Sequence, residues 1–180
     1  LRIILVLPAG FSDTGKRICE NTGSPERIQL VTGGDTRFHS VQNGLSLVPE
    51  PAVVFVHDAV RCLATPALIH RCYKETLLFG SAIPCVDSRD SVRIVRENGH
   101  EGIRRSDIKL VQTPQTFLSG LLLPAYQTKF REDFTDDASV VEANHQSVHL
   151  VEGEEHNIKI TNPLDLAIAG KLLDSPQDPF

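Results

Sequence analysis

The 180-residue chain has no methionine and no tryptophan, and aromatic residues make up only 6% of it. An intact cytosolic chain starts with methionine and normally carries others. This one opens at Leu1, already inside an apolar strand pattern, so the expectation is that an N-terminal segment precedes it or that modified methionines go uncounted. Cysteine is sparse. Cys19, Cys62, Cys72 and Cys85 show no CxxC spacing, which reads as free thiols in a reducing cytosol. No apolar run approaches the roughly 18 residues needed to cross a bilayer, and no signal-peptide pattern opens the chain. Positive charge is not in excess: the formal net charge is −5, which speaks against an electrostatic nucleic-acid binder. A small anionic substrate stays open, because basic residues can still cluster locally. There is no internal repeat and no low-complexity tract. The tail after Leu173, DSPQDPF, is polar and Pro-rich and is expected to fray.

What is present suffices for one domain with a sizeable core: 41% of residues are hydrophobic and 23% charged. The domain is taken as residues 1–173, with a tail at 174–180. Short apolar runs at 3–7, 28–31, 52–56, 81–86 and 148–152 read as strands, several of them buried on both faces. The segment 65–80 reads as a helix with Thr65 as N-cap, Pro66 at the first helical position and Gly80 at the stop. Its expected core face is Leu68, Ile69, Cys72, Leu77 and Leu78. The segment 162–173 repeats the start with Asn162 and Pro163. Strands alternating with helices predict an α/β fold, Rossmann-like, with a mostly parallel sheet flanked by helices. In such sheets ligands bind beyond the carboxyl ends of the strands.

One stretch breaks the alternation. Asn98-Gly99 is a strong hairpin signal between Val92-Ile94-Val95 and Ile103. It predicts a protruding β-arm within residues 88–112, either solvated or paired with a second subunit.

The run VFVHDAVRCL, residues 54–63, ends a strand in ionisable side chains. Asp58 and Arg61 would stand at a carboxyl edge, where they are either site residues or a pair that caps the next helix. His57 alone reads more readily as a packed histidine than a catalytic one. In TGGDTRFHSVQNGL, residues 32–45, two glycines lie between a strand and a helix. That is either a plain turn or a place where an anionic ligand meets backbone and helix N-terminus. VQTPQTF (111–117) follows Arg104-Arg105, FTDDAS (134–139) is expected to start a helix at Thr135, and NIKIT (157–161) puts Lys159 in a strand. A strand lysine commonly faces solvent. His145 and His149 have HxxxH spacing, but it would cross from a helix end into a strand without a nearby third ligand, so no metal site is assigned.

Taken in order, these pieces resemble one family, the 2-C-methyl-D-erythritol 4-phosphate cytidylyltransferases of isoprenoid synthesis. The matching residues are Gly33-Gly34-Asp35-Thr36-Arg37 through Ser40-Val41, His57-Asp58-Ala59-Val60-Arg61, Asp90-Ser91, Arg105, Gln112-Thr113-Pro114-Gln115, Thr135-Asp136-Asp137-Ala138-Ser139, Val151-Glu152-Gly153, Asn157 through Thr161, and the closing NPLDLAIA. Two departures stand out. Cys62 replaces the family's usual proline after the HDAxR arginine, and the family's glycine-rich nucleotide loop has no counterpart here. By that comparison the chain begins roughly fifty residues late.

The resemblance implies transfer of a cytidylyl group from CTP to a methylerythritol phosphate, with Mg2+ held mainly by the CTP phosphates. It implies nucleotide contacts at Gly33, Gly34, Asp35, Ser40, Asp58 and Ala59, and acceptor contacts at Arg61, Ser91, Arg105, Thr113, Thr135 and Lys159. Lys159 and Asp58 would be the catalytic pair, and Arg105 would reach the site from the arm of a second subunit in a cytoplasmic homodimer. Two other readings share these motifs: a ribitol 5-phosphate cytidylyltransferase, and a non-catalytic dimerisation or binding module.

Overall fold

A computed structural model describes residues 1–174. The chain falls into two compact units, residues 1–54 with 118–147, and residues 55–117 with 148 onward. Among the described residues no helix is long and apolar enough to cross a membrane.

The first unit opens with β1 (Ile3–Leu7), α1 (Ser12–Glu20), β2 (Ile28–Thr32) and α2 (Arg37–Leu45). β1 and β2 pair in parallel, Ile3 opposite Ile28 and Leu7 opposite Thr32, as a strand–helix–strand crossover requires. Later in the chain the unit adds α4 (Ser119–Ala125) and α5 (Asp137–Ala143). Its core is aromatic. The Phe38 ring stacks on Tyr126 at 4.8 Å and on Phe134 at 5.7 Å between centroids, and Phe130 leans in at 5.8 Å. The helix expected to begin at Thr135 is capped one residue later. Asp136 accepts the Ser139 N–H at 2.8 Å, while the Ser139 hydroxyl accepts the Asp136 N–H at 3.2 Å. This reciprocal box leaves Thr135 outside the helix.

The second unit is built on α3 (Pro66–Phe79) and β4 (Ser81–Asp87), with β7 (Lys109–Val111) and β9 (Leu150–Glu152) beside β4. β3 (Val53–Val56) and β8 (Gln115–Leu118) complete a five-stranded sheet of order β3-β8-β4-β7, with β9 also on β4. The expected α/β fold is what the chain adopts, but its main sheet is not purely parallel. β9 runs parallel to β4, but β7 and β8 run antiparallel to it. After β4 the chain goes out and back through a hairpin instead of a crossover helix, so its returning strands meet β4 head to tail.

That hairpin is β5 (Val92–Arg96) and β6 (Gly99–Ile103), paired from Val92–Ile103 to Arg96–Gly99 around the Asn98-Gly99 turn. α3 starts and stops as its sequence predicts. The Thr65 hydroxyl accepts the Leu68 N–H at 3.1 Å, and Gly80 takes the left-handed conformation at φ 84°. Its core stripe is narrower than expected. Leu68, Cys72 and Thr76, spaced by four, are fully buried, whereas Ile69, Leu77 and Leu78 are exposed. Leu68 and Cys72 pack with Ala82 and Val151, and Phe55 and Ala64 lean on them. Burial of one such leucine is worth ~2 kcal/mol.

α6 (Pro163–Asp174) is capped by the Asn162 side chain, which accepts the N–H groups of Leu164 and Asp165 at 2.9 and 3.1 Å. The helix runs through Asp174, and the rest of the tail expected to fray lies outside the described residues. The segment 157–161 forms no strand, so Lys159 stands on an irregular connection rather than in a ladder.

Candidate active site

In the first unit, Gly33 and Gly34 join β2 to α2, as the sequence suggested. Their lack of side chains is needed by the loop itself. A Cβ on Gly34 would lie 2.4 Å from His39 Cβ, and one on Gly33 would lie 2.8 Å from Ser40 Oγ. The Ser40 hydroxyl accepts the Gly34 N–H at 3.1 Å and donates to the Thr36 carbonyl at 3.0 Å, so it folds the loop onto the first turn of α2. Thr36 caps that helix by accepting the His39 N–H. Gly34 and Asp35 remain exposed beside the cap, where helix N–H groups favour negative charge.

The next residue, Arg37, reaches across 100 positions of sequence. Its guanidinium donates to both carboxylate oxygens of Asp137, at 3.1 and 2.7 Å. The Tyr126 hydroxyl donates to the same carboxylate at 2.6 Å. Asp137 is fully buried, and its charge together with burial pushes the Tyr126 phenol far above its ordinary value. The pairing ties the glycine-loop motif to the Thr135–Ser139 motif. The sequence reading missed it, because nothing in the local pattern links residues so far apart. Thr135 itself is exposed, two residues ahead of the buried carboxylate.

In the second unit, β3 ends at Val56 and the next five residues form a tight turn, with the Arg61 N–H donating to the Asp58 carbonyl at 2.9 Å. The alternative of Asp58 and Arg61 as helix caps is not what the structure shows, since Thr65 caps α3. The Asp58 carboxylate lies 3.1 Å from Lys159 Nζ and 4.0 Å from Arg61 Nε. One carboxylate against two cations leaves a net positive cluster. The Asp58 and Arg61 side chains are largely covered, while Lys159 is about half exposed. Ala59 is exposed at the tip of the turn.

Thr113 is buried beneath this turn. Its hydroxyl accepts the Asp58 N–H at 3.0 Å and lies 3.0 Å from His57 Nδ1. His57 Nε2 is 3.0 Å from the Arg61 carbonyl. Loss of water around the ring pulls the His57 pKa below its ordinary 6.5, against the raising effects of the Arg61 carbonyl and Asp58. Arg61 sends Nη1 to the Asn157 carbonyl at 2.7 Å, and the fully buried Asn157 side chain donates to the Thr113 carbonyl at 2.9 Å. Gln112 completes the scaffold, exchanging bonds with the Glu154 backbone at 2.7 and 3.0 Å. Thr65 anchors the Glu154 carboxylate in turn. So the structure gathers Asp58, Ala59, Arg61, Thr113 and Lys159. It adds His57, Gln112 and Asn157, whose part in the scaffold no local periodicity announces.

Ser91 and Arg105 stand apart from this cluster at the base of the hairpin. Ser91 is exposed just before β5, and Arg105, in a short 3-10 turn after β6, donates to the Arg89 carbonyl at 2.7 Å.

The chain was compared with known proteins. The family model described as 2-C-methyl-D-erythritol 4-phosphate cytidylyltransferase matches residues 1–175. A protein of that name from Bacteroides fragilis is 47% identical over 173 residues, covering 96% of this chain and 79% of the relative. Its namesake from Bacteroides thetaiotaomicron is 48% identical over the same shares. Among solved structures, 2-C-methyl-D-erythritol 4-phosphate cytidylyltransferase from Thermus thermophilus superposes with a TM-score of 0.80 at 29% identity, over 97% of this chain and 83% of that one. 4-diphosphocytidyl-2C-methyl-D-erythritol synthase from Anaerococcus prevotii gives 0.85 at 30%, over 97% and 79%.

Proposed function

The chain belongs to the 2-C-methyl-D-erythritol 4-phosphate cytidylyltransferase family, and from that premise we propose its reaction and the parts its residues play. It is a nucleotidyltransferase that joins CTP and 2-C-methyl-D-erythritol 4-phosphate into 4-diphosphocytidyl-2-C-methyl-D-erythritol, a step of isoprenoid precursor synthesis. An oxygen of the acceptor phosphate bonds to the α-phosphorus of CTP, the α–β bridging bond breaks, and pyrophosphate leaves. The observation that carries this reading is the family match along the whole described chain.

Little covalent chemistry falls to the protein in such a transfer. Its work is to align two anions and to meet the charge that builds on the crowded phosphorus. Lys159 and Arg61 supply the cations, and their net positive surroundings with Asp58 support that assignment. Lys159 faces the phosphates, while Asp58 holds the ammonium in place and meets ribose or acceptor hydroxyls. Gly33, Gly34, Asp35, Ser40 and Ala59 take the nucleotide; the exposed loop at the N-terminus of α2 supports this for Gly34 and Asp35. Arg61, Ser91, Arg105, Thr113 and Thr135 take the acceptor.

Among the described residues no three His, Cys, Asp or Glu side chains are grouped to hold a metal. In this reading a Mg2+ ion is held mainly by the CTP phosphates, where it would offset their charge. Homodimerisation through the β5–β6 arm, which would bring Arg105 to a second subunit, is part of the same proposal. Its support is the charged two-stranded hairpin itself, and native mass measurement of the protein tests it. Four unpaired cysteines, three of them buried, support a reducing, cytoplasmic setting.

The direct test is pyrophosphate release from CTP with 2-C-methyl-D-erythritol 4-phosphate, with ribitol 5-phosphate in parallel. Turnover with the first and little with the second is expected; the reverse preference would overturn the acceptor assignment.

A further inference from the structure

The turn after β3 is held by one imidazole. A carbonyl oxygen can only accept, so His57 Nε2, 3.0 Å from the Arg61 carbonyl, carries a hydrogen. In the neutral ring Nδ1 is then an acceptor, and the Thr113 hydroxyl at 3.0 Å donates to it. That leaves the Thr113 oxygen to accept the Asp58 N–H at 3.0 Å. The bonds run in one direction, from the Asp58 N–H through the Thr113 hydroxyl and the His57 ring to the Arg61 carbonyl. The Arg61 N–H closes the turn on the Asp58 carbonyl at 2.9 Å. Both ends of the HDAVR turn are thereby fixed, and they carry the carboxylate that meets Lys159 and the guanidinium that reaches Asn157.

We propose that neutral His57 is a positioning residue for cytidylyl transfer: its two ring nitrogens strut the turn so that Asp58 and Arg61 keep the spacing the reaction uses. The inference rests on the reaction proposed above. A second proton on the ring would turn Nδ1 into a donor. The Thr113 oxygen would then face two N–H groups, and its own hydrogen would lose its acceptor. His57 is itself exposed at the surface, so the hydrogen-bond pattern rather than burial carries the case for the neutral ring, and partial desolvation adds to it. The charges facing the ring are Asp58 and Arg61 on its own turn. Lys159 on the 157–161 connection acts through Asp58, and the 111–113 segment brings only the Thr113 hydroxyl.

The test is the pH dependence of kcat/KM, from pH 5 to 8, in wild type, His57→Gln and His57→Ala. Glutamine keeps an N–H donor for the Arg61 carbonyl but cannot be protonated. Its kcat/KM should fall about tenfold at pH 7, and the alanine variant's by up to about a hundredfold, as loss of alignment does. Any acid limb from the substrate phosphates is common to all three proteins. The wild type should lose further activity at low pH, and the glutamine variant should lack that extra loss.

Nitrogen-15 NMR of the wild-type ring gives a readout independent of variant folding: a neutral Nε2–H tautomer at pH 7, titrating together with the extra acid limb. An Nδ1–H tautomer, a charged ring at pH 7, an unchanged limb in His57→Gln, or wild-type kcat/KM in a folded His57→Ala overturns the proposal while leaving the reaction intact. Absence of turnover in the full-length wild type, its glycine-rich nucleotide loop included, overturns the reaction itself, and this inference with it.

Discussion

Each unit of the molecule pairs an aspartate with an arginine, and the two pairs differ in burial and in how closely the guanidinium approaches. In the first unit, Asp137 is fully buried and takes two guanidinium N–H groups and a phenol O–H at 2.6 to 3.1 Å. In the second, Asp58 keeps 16% of its side chain on solvent and meets Lys159 at 3.1 Å and Arg61 only at 4.0 Å. A fully buried carboxylate bound by three short hydrogen bonds is fastened to its own fold. One that keeps contact with solvent beside two cations can exchange partners with an incoming anion or hydroxyl. The same residue types thus serve architecture in one place and are suited to chemistry in the other.

The same substitution at both positions sharpens the contrast. Asp137→Asn puts an amide N–H against donors from Arg37 or Tyr126 at a fully buried position. Breaking a buried charge network of this kind costs about 3 kcal/mol, which for a chain of this size lowers Tm by roughly 10 °C. Calorimetry checks it, and a shift of a degree or two would place Asp137 in the same class as Asp58.

Lys159→Ala removes a cation that is half in water, so its melting point should stay close to wild type. Turnover should fall by about a hundredfold, the scale of losing one electrostatic stabiliser of a transition state, with the KM for CTP changing much less. Steady-state kinetics separate this from a merely solvated lysine, which would leave kcat near its wild-type value.

Asp58→Asn should lower cytidylyl transfer by at least about tenfold, or 1.4 kcal/mol of transition-state stabilisation. Its melting point should move by only a few degrees, because the Asp58 contact with Thr113 is made by the backbone N–H and survives the change. A large loss of stability with full activity would erase the distinction between the two aspartates.

How far these features can be read in advance follows the reach of each interaction. Thr65-Pro66 and Gly80 mark α3 because capping and a left-handed stop act within one helical turn. Asn162-Pro163 does the same for α6, and Asn98-Gly99 for the hairpin, which needs only two residues to reverse the chain. The glycines before α2 and the HDAVR turn after β3 were likewise legible as loops that follow strands. Asp136 displaced Thr135 as a cap because two adjacent capping residues compete, and the reciprocal bond with Ser139 favours the second.

Beyond that reach the sequence was silent. Strand direction in the sheet depended on how the chain returned from the hairpin, and the core stripe of α3 depended on what packed against it. Lys159, expected in a strand, came to Asp58 on an irregular connection after a loop locked by Gln112 and Glu154. The Arg37–Asp137 pair closes 100 residues of chain. By itself the sequence determined the starts and stops of α3 and α6, the hairpin turn and the residue types at the ends of the strands, because these depend on neighbours within a few positions. Only the tertiary structure decided which aspartate is sealed and which is open, because burial and partner geometry are properties of the closed chain.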